Sequence, residues 1–246
     1  MQTFYFTDPG KVRSHNEDNV TILSNDNNEF VLAVADGMGG HKAGEVASAM
    51  AIDILTDEFY KKETLGTKED AIDWLRTLVT NINNSIFKYT DENPESKGMG
   101  TTLVIAINTE DYILYGNIGD SSGYVIKNNQ LHKVTKDHTL VNLLVSTGEL
   151  TEEEAKYHPR KNVLMRALGA NNPIEIDIFD VDTSVKGLFL CSDGLTNMLT
   201  EEQIEKTLNS NLSIEEAVVK LIQKSNSRGG TDNISIAYLK KESGDL

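Results

Sequence analysis

Four aspartates stand where short apolar runs stop or begin. Asp36 closes Val31-Leu32-Ala33-Val34-Ala35, Asp120 follows Asn117-Ile118-Gly119, Asp193 follows Phe189-Leu190-Cys191-Ser192, and Asp232 lies just before the run that opens at Ile234. A single Asp-Gly pair is a turn signal and no more. Repetition at the ends of buried runs changes the reading. Carboxylates that converge in a fold interior repel one another by on the order of several kcal/mol unless protons or cations compensate. An all-oxygen donor set suits a hard cation such as Mg²⁺ or Mn²⁺, whereas Zn²⁺ would prefer His and Cys at close spacing. The five histidines form no such cluster. In Asp36-Gly37-Met38-Gly39-Gly40-His41 the glycines also let backbone carbonyls approach a ligand closely.

Strands and helices must carry these residues. Runs at Phe30 to Ala35, Thr101 to Ile107, Tyr112 to Asn117, Leu188 to Cys191 and Ile234 to Leu239 read as buried strands. Ala71, Leu75, Leu78, Ile82 and Ile86 recur at helical spacing across 70–88, and Val46, Met50, Ile54 and Leu55 form a similar stripe across 45–59. Capping boxes are spelled by Thr151 with Glu154, Thr200 with Gln203, and Ser213 with Glu216. The order lacks strict strand-helix alternation, so an α+β design with largely antiparallel sheets covered by helices is expected.

Composition narrows the class. The 246 residues suit one domain, 1–241, followed by a short polar tail, 242–246. A formal net charge of −15 repels nucleic acid and anionic lipid, and the Lys61-Lys62 and Arg160-Lys161 pairs are too short to form a basic patch. No run reaches membrane-spanning length, and the lone Cys191 fits a reducing compartment, so a cytoplasmic protein with no membrane insertion is expected. A cysteine-dependent phosphatase would need Cys-x5-Arg, but Asn197 stands six residues after Cys191. A P-loop is absent as well, since Gly-Lys is nowhere followed by Ser or Thr.

Six motifs in order then carry a resemblance: Arg13-Ser14-His15-Asn16-Glu17-Asp18-Asn19, Asp36 to His41 with Gly44-Glu45, Gly100-Thr101-Thr102, Gly119-Asp120-Ser121, Ser192-Asp193-Gly194, and Gly230-Thr231-Asp232-Asn233. The chain resembles the PPM (protein phosphatase 2C-like) family of metal-dependent Ser/Thr protein phosphatases over nearly its whole length, especially the compact bacterial members. The resemblance implies a four-layer α/β/β/α sandwich with a dimetal cleft at one edge. It implies Asp36 as the carboxylate shared by two Mn²⁺ or Mg²⁺ ions, with Asp193 and Asp232 on the first. The Gly37 carbonyl and, through water, Glu17 would serve the second, and Asp120 with Asp193 a weaker third. Asp18 would orient the nucleophile, Arg13 would grip the phosphoryl group, and His41 would protonate the leaving group. Substrates would be phosphorylated proteins, including a cognate Ser/Thr kinase and its targets, and the enzyme is expected as a monomer.

One position departs from that pattern, and one segment extends it. Many members have Arg where this chain has Ser122. The segment 138–166 resembles the flap of bacterial members. A catalytically dead relative would be expected to lose a metal ligand, whereas Asp36, Asp193 and Asp232 are all present.

Overall fold

A computed structural model describes residues 1–39 and 43–242 of the chain. Strands β1 (Gln2–Asp8), β2 (Asp18–Ser24) and β3 (Phe30–Met38) lead into helices α1 (Ala43–Tyr60) and α2 (Lys68–Glu92). Strands β4 (Gly100–Thr101), β5 (Leu103–Asn108), β6 (Ile113–Ile118), β7 (Ser122–Lys127) and β8 (Gln130–Lys133) follow. Two short helices, α3 (Leu140–Ser146) and α4 (Glu152–Tyr157), precede β9 (Asp177–Val181) and β10 (Gly187–Cys191). The chain closes with α5 (Asp193–Thr196), α6 (Glu201–Leu208), α7 (Ile214–Ser227) and β11 (Ile234–Lys240).

Two antiparallel sheets result, one ordered β1-β11-β10-β7-β8 and the other β2-β3-β5-β6-β9, with β4 paired to β3. They pack face to face through Leu32, Val34, Val104, Tyr115, Leu188, Leu190 and Leu239. Alternation sends the neighbouring residues outward. Val31, Ala33 and Ala35 meet α1 and α2, while Phe189, Cys191 and Ile236 meet the α5–α7 layer. Strands buried on both faces lose the polar alternation of a half-exposed strand, which is why they read as unbroken apolar runs. Each fully buried Leu or Ile in these layers contributes about 1.5–3 kcal/mol.

The expected elements are present, with corrections. The predicted α2 face is buried in full, and all three capping boxes form. In α1 the stripe through Val46, Met50 and Ile54 is only partly buried. The face against the sheet is Ala47, Ala51, Leu55 and Phe59. Alanines there bring the helix axis close to β3, and this sets the position of its first residues. Strands β1, β2, β7, β8 and β9 lie outside the five runs read from the sequence. Segment 138–166 carries two short helices, the second starting at the expected Thr151 cap. Among the described residues no helix is long and apolar enough to cross a membrane.

Because Ala51 is fully buried beneath α1, Ala51→Leu is expected to destabilise the fold by about 1–3 kcal/mol through overpacking. Urea titration measures this, and a stability equal to wild type would show that the close approach of helix and sheet is not needed.

Candidate metal centre

The antiparallel register of β2 and β3 sets Asp18 directly opposite Asp36. Paired residues share a face, and Val20↔Val34 and Ile22↔Leu32 in the same ladder point into the space between the sheets. The two carboxylates therefore sit side by side where that apolar layer ends. Like charges directly opposite across a ladder are destabilising. Beneath Asp36, its N–H donates to Thr102 Oγ1 at 3.0 Å, and its carbonyl accepts from Thr101 Oγ1 at 3.0 Å and Thr102 N–H at 2.9 Å. Thr102 in turn meets the Ser121 hydroxyl at 2.8 Å, joining the Asp36 strand to the turn that carries Asp120.

The second sheet supplies the facing carboxylates. Asp193 follows β10 and starts α5, and Asp232 stands two residues before β11. Burial raises the Asp193 carboxyl to about 6, with the Asp232 charge as the next cause and the Asn197 amide opposing it. Asp120 rises to about 7, through burial and then the Asp193 and Asp137 charges. Asp18 also rises to about 7 by burial, although the Ser192 and Ser235 hydroxyls favour its ionised form. Asp36 is held well above the ordinary carboxylate range, first by burial and then by the charges of Asp18, Asp193, Asp120 and Asp232. The fold has thus gathered more negative charge than the site can hold unaided.

Glu17 lies beside this cluster with its carboxyl raised, chiefly by burial. Its backbone is pinned from three sides. Glu17 N–H donates to Asn233 Oδ1 at 2.8 Å, and its carbonyl accepts from Gly37 N–H at 3.0 Å and Ser48 Oγ at 2.5 Å. Gly37 and Gly44 are required by contact: a Cβ on Gly37 would fall 2.1 Å from the Gly44 carbonyl oxygen, and one on Gly44 would fall 2.9 Å from the Glu17 carboxylate. Arg13 Nη2 donates to Asp232 Oδ2 at 2.8 Å, so the residue expected on phosphate and one expected on metal are paired with each other. That ion pair is half-exposed and of modest strength. His41 lies outside the described residues.

Around these groups is a cleft of about 490 Å³, lined by Arg13, Glu17, Asp36, Gly37, Asp120, Asp193 and Asp232 together with Met165 and Arg166 from the edge of segment 138–166. A larger groove of about 1170 Å³ continues beneath α3 and α4 and shares Asp120, Asp193 and Arg166 with the cleft. Arg166 Nη1 donates to Asp177 Oδ1 at 2.6 Å, and His138 Nε2 meets Asp177 Oδ2 at 3.1 Å, fixing both ends of the segment to β9. Only Val141 and Ala155 of its two helices are buried. Ser122 is buried opposite Cys191 in the ladder, on the helix-facing side of β7. Burial drives the Cys191 thiol far above its ordinary range, leaving it inert as a nucleophile.

Sequence reasoning passed over several supports. Asn233 Nδ2 donates to the Pro9 carbonyl at 3.0 Å and the His15 carbonyl at 2.9 Å, holding the loop that carries Arg13 against β11. The only signal for this was its place in the Thr231-Asp232-Asn233 motif. Among the described residues, no group of three or more His, Cys, Asp or Glu side chains is already arranged to hold an ion. The donors are gathered but not arranged. Asp193 Oδ2 accepts from Asn197 and Asp232 Oδ2 from Arg13. An oxygen-only donor set, and a buried Asp18 Oδ1 with no hydrogen-bond partner among the described residues, nevertheless fit a hard divalent cation.

The sign of the resulting pH dependence follows from the raised carboxyls. Their stabilising protonation is complete below about 4 and lost as pH rises through about 6–7. In EDTA this site should therefore lower the melting temperature across that window. Added Mn²⁺ should raise it more at pH 8 than at pH 6, since protons compete for the same oxygens. Asp36→Asn should raise the EDTA melting temperature and weaken the Mn²⁺ response. Calorimetric scans check both, and a Mn²⁺ shift that is equal at the two pH values would contradict the assignment.

The Protein phosphatase 2C family model matches residues 11–228. A serine/threonine phosphatase stp from Listeria welshimeri is 44% identical over 242 residues, covering 98% of this chain and 96% of the relative. Protein phosphatase PhpP of Streptococcus pneumoniae is 33% identical across 100% of this chain and 99% of its own. Among solved structures, the S. agalactiae serine/threonine phosphatase superposes with a TM-score of 0.93 at 34% identity, covering 98% and 99% of the two chains. Mycobacterium tuberculosis PstP/Ppp gives 0.87 at 33% identity, covering 98% of each. With the sandwich, the ordered motifs and this full-length similarity in agreement, the chain belongs to the protein phosphatase 2C family of metal-dependent serine/threonine protein phosphatases.

Proposed function

We propose that this chain removes phosphate from phosphoserine and phosphothreonine in proteins, opposing a Ser/Thr kinase of the same cell, with two core Mn²⁺ or Mg²⁺ ions and a weaker third. The observation that carries the reading is the meeting of Asp36 from one sheet with Asp193 and Asp232 from the other at a single cleft, with Asp18 buried directly opposite Asp36. Asp36, Asp193 and Asp232 would hold the core ions, with the Gly37 carbonyl and Glu17 beside them, and Asp120 would join Asp193 for the third. Such ions, when bound, supply an activated water and neutralise charge on the phosphoryl group.

The chain's own residues do the rest. Asp18, buried and with one oxygen unpartnered, accepts a hydrogen bond from the attacking water and aims it. Arg13, at the mouth of the cleft, presents a planar guanidinium that can donate two parallel hydrogen bonds to phosphoryl oxygens. His41, five residues after Asp36 in sequence, gives a proton to the departing alkoxide. Segment 138–166 acts as a flap over the groove through which a polypeptide would lie. One domain, 1–241, holds the whole apparatus as a monomer.

Purified protein should turn over phosphoserine and phosphothreonine peptides with Mn²⁺, act weakly on phosphotyrosine, and lose activity in EDTA. Absence of Mn²⁺-dependent turnover on every phosphoester would overturn the reading. Asp193→Ala should abolish turnover while the protein still folds. His41→Ala should cut kcat on a phosphothreonine peptide by about 10²-fold or more, yet barely affect an aryl phosphate whose leaving group needs no proton. Equal losses on both substrates would remove the general-acid role.

A further inference from the structure

Ser192 is fully buried at the end of β10, and its hydroxyl crosses between the sheets to donate to Asp18 Oδ2 at 2.7 Å. The direction of that bond is set by its surroundings. Ser235 N–H donates to Ser192 Oγ at 2.9 Å, and Ser192 N–H donates to the Ser235 carbonyl at 3.1 Å. Ser192 is thus held on both sides by one residue of β11, and its only hydroxyl proton points to Asp18.

The support continues backward. Ser235 Oγ lies 2.7 Å from Thr7 Oγ1, which accepts from Asn16 Nδ2 at 2.8 Å, and Asn16 Oδ1 accepts from the Asp18 N–H at 3.2 Å. A closed polar circuit of Asn16, Thr7, Ser235, Ser192 and Asp18 lies beside an otherwise apolar layer. It ties the Asp18–Asp36 ladder of one sheet to β10 of the other, which Ser192 and Asp193 directly follow.

We infer that Ser192 is a positioning residue for the hydrolytic step, its hydroxyl fixing Asp18 through Oδ2 so that Oδ1 is the one oxygen left for the chemistry. Asp18 Oδ1 is buried and has no hydrogen-bond partner among the described residues, which is the state this arrangement requires. A serine that merely filled space would have no need to spend its proton on a carboxylate 174 residues away in sequence. The inference rests on the phosphatase reading, and its test separates the two.

Wild-type turnover of a phosphothreonine peptide with Mn²⁺ tests the phosphatase reading alone. Given that activity, Ser192→Ala should lower kcat at saturating Mn²⁺ by about 10- to 100-fold with substrate KM within about twofold of wild type, while Ser192→Thr should keep most of it. A second readout needs no activity. In EDTA, Ser192→Ala should lower the melting temperature by roughly 4–8 °C, as expected for a charge-assisted hydrogen bond in a chain of this size. In an Asp18→Ala background the same change should have almost no effect, since the partner is gone. Should Ser192→Ala fail to fold, Ser192→Cys, close in volume and a weak donor, replaces it in both measurements. A kcat within twofold of wild type for Ser192→Ala, a Ser192→Thr variant as impaired as the alanine, or equal melting losses with and without Asp18 would each overturn the inference.

Discussion

Repulsion among carboxylates is the constraint around which this molecule is organised. Asp18 faces Asp36 because β2 and β3 pair in one register, and a one-residue slip would turn every apolar residue of β2 to the wrong face. The hydrophobic layer between the sheets therefore enforces a contact that electrostatics opposes. Burial then removes the water that would have screened it. The energy released by packing Leu32, Val34, Leu188 and Leu190 is used in part to hold negative charge at the end of the same layer.

Much of the polar structure nearby serves to keep that unfavourable arrangement in place. Thr101 and Thr102 secure the backbone of Asp36, Asn233 holds the loop before β2, and Ser48 reaches from α1 to the Glu17 carbonyl. These are neutral groups, and none supplies the missing positive charge. Arg13 does so only at the rim, through its exposed pair with Asp232. The interior has been made rigid without being made neutral, which is the preorganisation a bound cation needs.

How much of this was legible in the sequence depended on how many chain segments each feature involves. Strand β3 and helix α2 could be read because their periodicity is local and their faces are wholly buried. Helix α1 was read in part, with Leu55 on its buried face but Ala47 and Ala51 missed, because alanines carry little hydrophobic signal, although small size is what its position demands. Strand β1, Gln-Thr-Phe-Tyr-Phe-Thr-Asp, went unread because as an edge strand it leaves Tyr5 and Phe6 exposed. The carboxylates could be picked out as a chemical type at strand ends. The Asp18–Asp36 opposition, the Ser192 tie and the Arg13–Asp232 pair depend on registers between distant segments, which a single sequence does not print. His41, named from its motif, lies outside the described residues.

Segment 138–166 leaves and re-enters the sandwich at one place. Thr139 bridges Leu164, and the Met165 N–H donates to the His138 carbonyl at 2.8 Å, so its two ends lie side by side on the rim of the cleft. Chain inserted between such ends costs little closure entropy and disturbs no strand register. This segment of the rim can thus lengthen, shrink or change sequence independently of the carboxylates below it. Variation at the rim and retention of the carboxylate cluster are mechanically separate in this fold, so one can drift without reopening the other to selection.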